Sequence, residues 1–98
     1  MGFRDVRSLL IDALLTGRFQ HEERDDIESK NLLAVGDVSA DFVVRLLRAC
    51  RGSQYRSSPY HFDRSVDCHE FKPVVAGEAW YVKAYFLSDG AVFISVHR

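Results

Sequence analysis

The chain has 98 residues, a formal net charge of −1, and is 47% hydrophobic and 28% charged. That composition suits one small globular domain with a modest core. It weighs against a protein that coats nucleic acid through bulk positive charge. No apolar run is long enough for a membrane-spanning helix.

"MGFRDVRSLLIDALL" mixes Asp5 and Asp12 with apolar residues, which reads as an amphipathic helix and not a signal peptide. Phe3, Val6, Leu9, Leu10, Ala13 and Leu14 recur at helical spacing, and Gly17 is the expected C-cap, so a helix is predicted over 3–16. "RFQHEERDDIESKNLLAVG" is polar first and apolar later; it predicts a short helix, with the acidic run as a solvated helix face or loop and His21 on a helix surface. "DVSADFVVRLLRACRG" predicts a second amphipathic helix, with Ser39 as N-cap, Phe42, Val43, Leu46, Leu47 and Cys50 as its apolar stripe, and Gly52 as its end. The two cysteines, Cys50 and Cys68, are too few for a disulfide framework. A reducing cytoplasm with free thiols is the expected setting. Cys68-His69 is too small a ligand set for zinc, and no metal or cofactor is expected.

Beyond Gly52 the period falls to about two residues, with strand-favouring Tyr, Phe, Val, Trp and Ile. "SQYRSSPYHFD" predicts one or two short strands broken near Ser58-Pro59, with His61 in a loop. "CHEFKPVVA", "AWYVKAYFL" and "AVFISVHR" predict three more, with Pro73 at an edge or bulge. The expected fold is a single α+β domain over 1–98. Helices within 3–52 cover one face of a small antiparallel sheet built from 53–98.

Register follows from the turns. Ser88-Asp89-Gly90 predicts a three-residue loop that pairs Leu87 with Ala91, Tyr85 with Phe93, Lys83 with Ser95 and Tyr81 with His97. Val82, Ala84, Phe86, Val92, Ile94 and Val96 then form the buried face. Gly77-Glu78 predicts a type II′ turn that pairs Phe71 with Ala84 in the core, and Lys72 with Lys83 and Glu70 with Tyr85 on the other face. The open face collects Glu70, Lys72, Tyr81, Lys83, Tyr85, Ser95 and His97. A merely solvated face is one reading. Two pairs argue for a site. Lys72 opposite Lys83 is repulsive without an anion, and Tyr81 beside His97 joins two groups able to move protons.

The stretches "QYRSSPYHFDRSVDCHEFKP" and "GEAWYVKAYFLSDGAVFISVHR" resemble the MqsR family, RelE-like toxins that cut messenger RNA. The likeness covers about residues 53–98. It implies a RelE-like fold, a metal-independent endoribonuclease, a cognate antitoxin as partner, and an active site on the exposed sheet face. The family's active-site lysine falls on Arg56, its tyrosine on Tyr81, its last basic residue on His97 with Arg98 beside it, and its glutamine near Cys68 or His69. Lysine to arginine changes geometry, and cysteine cannot act as glutamine does.

RNA brings its own nucleophile, the 2′-OH. On this reading Arg56 clamps the phosphate, helped by Lys83 or Lys72. His97 is the first choice for acid or base, and Tyr81 orients the phosphate or shares the proton. Glu70 or His69 is the opposing base, and Tyr85 or Tyr60 stacks on a nucleobase. By strand parity His69 falls on the core face, where a structural histidine is the simpler reading. A nuclease that needs the ribosome and a non-catalytic binding module using the sheet face or an edge strand stay open.

Overall fold

The computed structural model describes residues 1–98. The two amphipathic segments form α1 (Phe3–Thr16) and α3 (Ala40–Ala49). Gly17 caps α1 as expected, and the Ser39 hydroxyl accepts the Phe42 N–H at 3.1 Å. Helix α3 stops at Ala49, earlier than Gly52 suggested; Cys50 is its C-cap and Gly52–Gln54 form a 3₁₀ turn. Val6, Leu10 and Leu14 of α1 and Val43, Leu46 and Leu47 of α3 share one core with sheet residues Phe71, Val82, Ala84, Phe93 and Val96. Burial of these side chains is the main stabilising term, worth about 1.5–3 kcal/mol for each large one.

The fold is α+β as expected, but the sheet is larger. It contains β1 (Phe19–His21), β2 (Tyr55–Pro59), β3 (Asp67–Phe71), β6 (Tyr81–Leu87) and β7 (Gly90–His97), in the order β1-β7-β6-β3-β2. Strand β1 comes from the stretch read as helix surface, and it runs parallel to β7, so the sheet is mixed. The polar look of "FQH" hid it: Phe19 and His21 turn to the core side and Gln20 to solvent. Gly90 permits the junction, because a Cβ there would lie 2.2 Å from the Arg18 carbonyl oxygen. The four-residue helix α2 (Ile27–Lys30) follows, close to the short helix expected there.

Two predicted turns are corrected. The short hairpin β4 (Val74–Val75) and β5 (Glu78–Ala79) turns through Ala76-Gly77, with φ of 52° and 80°. Both positive angles make it type I′, not the type II′ turn at Gly77-Glu78. Moving the turn by one residue slides the register by two. Phe71 pairs with Val82 and Glu70 with Lys83, so Lys72 does not face Lys83. The expected like-charge pair becomes an opposite-charge pair.

The last hairpin closes Leu87 against Gly90 around Ser88-Asp89, a loop one residue shorter than predicted. Yet Tyr81 still meets His97 and Lys83 still meets Ser95, because a bulge between the Lys83 and Ala84 pairings leaves Ile94 unpaired. Between bulge and turn the faces differ from expectation. Phe93 turns into the core, and Val92 and Ile94 leave it, although both stay buried.

Candidate functional site on the outer sheet face

The face turned away from α1 and α3 carries one row of side chains across four strands. Arg56 on β2 pairs with Glu70 on β3, Glu70 with Lys83 on β6, and Lys83 with Ser95 on β7. In the next row Tyr81 faces His97, ring centroids 5.2 Å apart. Alternation along each strand puts these groups on one side; cross-strand register makes them neighbours.

Glu70 is the centre of this array. It is only 7% exposed. Its Oε1 accepts the Tyr81 hydroxyl at 2.5 Å, and its Oε2 accepts Arg56 Nε at 2.9 Å with the Arg56 amino group at 2.8 Å. A buried carboxylate needs such partners. Burial pushes its pKa up, but the hydrogen bonds from Tyr81 and Arg56 and the charges of Arg56 and Lys83 outweigh that, and the net position lies below the ordinary value. Tyr81 moves the other way. Burial, then its bond to the Glu70 carboxylate, holds its pKa far above a normal tyrosine. Tyr81 is thus a fixed hydrogen-bond donor and not a base.

His97 is half-buried. Its Nδ1 lies 2.8 Å from the Arg98 main-chain oxygen, which can only accept, so Nδ1 carries the hydrogen and Nε2 is left available. Lys83 and Lys72 form no ion pair. Lys72 stands with Arg56 and Glu70 around a side groove of about 280 Å³.

A larger cleft of about 920 Å³ lies over the face, lined by Tyr81, Lys83, Ser95 and His97 together with Tyr60, His61, Phe62 and much of the stretch from Glu22 to Lys30. Tyr60 stacks on Tyr85 at 4.7 Å and its hydroxyl donates to Glu22. The chain from β1 follows β7 as far as the bond from the Glu22 N–H to the Phe93 carbonyl, then returns where the Leu32 N–H meets the Val96 carbonyl. Residues 23–30 therefore arch over a part of β7 that only Ile94 and Ser95 span. The buried Asn31 anchors the return, its Nδ2 on the Phe93 carbonyl at 3.2 Å and its Oδ1 on the Ala34 N–H at 3.1 Å.

No protein-family model matches the chain, and no curated protein matches it. The chemistry must therefore be read from the side chains themselves.

Of the residues singled out from sequence, Arg56, Glu70, Tyr81, Lys83 and His97 come together, with Lys72 beside them and Tyr60 and Tyr85 stacked next to them. Two do not join them. His69 lies on the opposite face, stacked on Tyr55, with its Nδ1 2.8 Å from the Tyr55 hydroxyl. Its strand parity decides this, and burial holds its pKa below the usual histidine value. Arg98 is tied to Glu78 at 2.8 Å with its guanidinium 4.5 Å from the Trp80 ring, outside the cleft lining. Cys68 shares the outer face but is fully buried, and burial raises its thiol pKa, which leaves it a poor nucleophile. Glu22, Arg24 and His61 also line the cleft, and no pattern in the sequence marks them for it. "HEERDD" looks like a solvated charge run, and nothing local to it says that it arches over a sheet. No helix in the structure is long and apolar enough to cross a membrane.

Proposed function

We propose that this protein is a metal-independent endoribonuclease, the toxin of a toxin–antitoxin pair, which cuts messenger RNA by attack of the 2′-OH on the adjacent phosphate. The observation that carries the reading is one array: a charged, buried Glu70 held by Arg56 and Tyr81, with His97 across from Tyr81. In the reaction Glu70 takes the 2′-OH proton, and the 2′-oxygen bonds to phosphorus. The 5′-oxygen of the next nucleotide leaves with a proton from Nε2 of His97 in its doubly protonated form, which then returns to the neutral ring with its hydrogen on Nδ1. The products are a 2′,3′-cyclic phosphate and a free 5′-OH. The free amino group of Arg56 and the unpaired Lys83 bear the negative charge that builds on the phosphate. Tyr81 keeps its proton and orients Glu70. The Tyr60–Tyr85 stack, with the exposed Phe62 nearby, offers aromatic surface to unpaired bases.

The MqsR likeness over 53–98 supports a RelE-like relationship and an antitoxin partner. The cleft's carboxylates, Glu22, Glu23, Asp25 and Asp26, favour a rival reading, a binding module for a cationic protein segment. Pure protein incubated with single-stranded RNA, in EDTA without ribosomes and in magnesium buffer with them, separates the two. Cleavage is expected to yield cyclic phosphate ends and to drop at least about 100-fold in His97→Ala, the usual scale for a general acid. Tyr81→Phe is expected to slow it less. No cleavage under either condition ends the nuclease reading. Full activity of both variants moves the site elsewhere. Growth arrest on expression, relieved by a neighbouring gene's product, tests the antitoxin pairing.

A further inference from the structure

Arg24 sits in the arch, two residues past the contact between Tyr60 and Glu22. Its Nη1 donates to Ser95 Oγ at 3.2 Å and to the Ile94 carbonyl at 3.3 Å, and its Nε pairs with Asp26 Oδ1 at 2.7 Å. The bulge makes this possible: it takes Ile94 out of the ladder, and Arg24 bonds the carbonyl of that unpaired residue. The second terminal amino group of Arg24 makes no hydrogen bond, and the side chain, 29% exposed, lines the same cleft as Lys83 and His97. Ser95 is the β7 end of the row that starts at Arg56, so Arg24 extends that row beyond the sheet.

The walls of the cleft decide which way a long anion can lie. Tyr60 crosses the face from the end of β2 to Glu22 and blocks passage along the strands toward the Tyr85 end. The acidic side chains of the arch repel a phosphate backbone everywhere except at its cations. A path that crosses the strands meets Arg56, then Lys83, then Arg24.

We propose that Arg24 is the far end of this anion track, and that it binds the backbone phosphate next to the one that is cut. The inference rests on the nuclease reading and adds the substrate's direction across the sheet.

The test measures binding of a single-stranded oligoribonucleotide, made uncleavable by 2′-O-methyl groups, over a range of salt concentrations. Each phosphate contact on a single strand adds about 0.7 to the slope of log affinity against log salt. Arg24→Gln is expected to lower the slope by about 0.7. It should raise KM for cleavable RNA about tenfold, the scale of one charge-assisted hydrogen bond, with kcat within about twofold. Arg24→Lys keeps the charge and should keep the slope. Asp26→Asn separates binding from bracing: it removes Arg24's carboxylate partner and should leave affinity equal or higher. An unchanged slope in Arg24→Gln, while the wild type binds with strong salt dependence, overturns the inference alone. So does an Asp26→Asn loss as large as that of Arg24→Gln, since Arg24 would then only brace the arch. A wild type that neither binds nor cuts RNA removes the nuclease reading, and this inference with it.

Discussion

Tyr81 stands opposite His97 because Ile94 is left out of the β6–β7 ladder. The tight turn at Ser88-Asp89 sets one register near Leu87 and Gly90, and the bulge sets another, one residue on, at the far end. Arg24 bonds the Ile94 carbonyl and Asn31 bonds that of Phe93, so the arch over the face is fastened around the irregular point.

Deleting Ile94 should therefore leave a regular hairpin in which Tyr81 still faces His97 and Phe93 and Val96 still face the core. The loss of a buried isoleucine and of an acceptor for Arg24 should cost about 1–3 kcal/mol in urea unfolding. A Tyr81–His97 ring contact that persists by NMR checks the register. Its disappearance would show that the bulge, and not the turn, holds the two together.

Glu70 predicts an acid-dependent term in stability. Its folded pKa lies below the ordinary 4.5, so its contribution is complete above about pH 4.5 and fades as pH falls through the lower folded value. Glu70→Gln should be less stable than wild type by about 1–2 kcal/mol at pH 7, a figure kept small because the Arg56 side chain is 71% exposed. The gap should narrow as pH falls below 4.5. A constant gap there would mean that the carboxylate's charge contributes nothing.

His21 and His69 act at milder pH. Burial lowers both below the ordinary 6.5, and His21 Nδ1 is enclosed with no hydrogen-bond partner. Above pH 6.5 both are neutral whether folded or unfolded, and stability is full. Below it the unfolded chain takes up protons that the folded chain resists. Stability should fall with pH by at most about 1.4 kcal/mol per pH unit for each histidine, until the folded values are reached. His21→Phe should flatten the fall measured by thermal melts from pH 7.5 to 5.5. An equally steep fall in that variant would clear His21 of the effect.

Ala76 carries a positive φ of 52° beside Gly77, a conformation that alanine tolerates poorly. Asparagine followed by glycine is the preferred pair for this turn. Ala76→Asn should raise stability by about 0.5–1 kcal/mol. The gain should appear as a higher urea midpoint with an unchanged slope.

Much of the fold was legible in the chain. Helical spacing identified α1 and α3, and alternation identified the buried side of β6 and the polar side of Tyr81 and Lys83. What failed lay in how the segments pair with one another. The turn at Ala76-Gly77 differs from the predicted one by a two-residue slide, and such a slide leaves every side chain on its own face. The hydrophobic pattern cannot detect it. For that reason Glu70 was given Tyr85 as partner instead of Lys83, and the Arg56–Glu70–Tyr81 array was seen only as separate candidates. Phe93 was misplaced because a bulge reverses parity with no signal in residue type.

By itself, then, the sequence determined α1, α3, the strands beyond Gly52, the buried face of β6 and the pool of polar groups on the open face, because these depend on spacing along a single segment. Tertiary structure alone decided which of those groups touch. It paired β1 with β7 in parallel, and it bent residues 23–30 over the face so that Arg24 reaches Ser95. Each of these depends on closing long loops onto a distant strand, and the free energy that selects among such closures lies in contacts between segments, not in the pattern of any one.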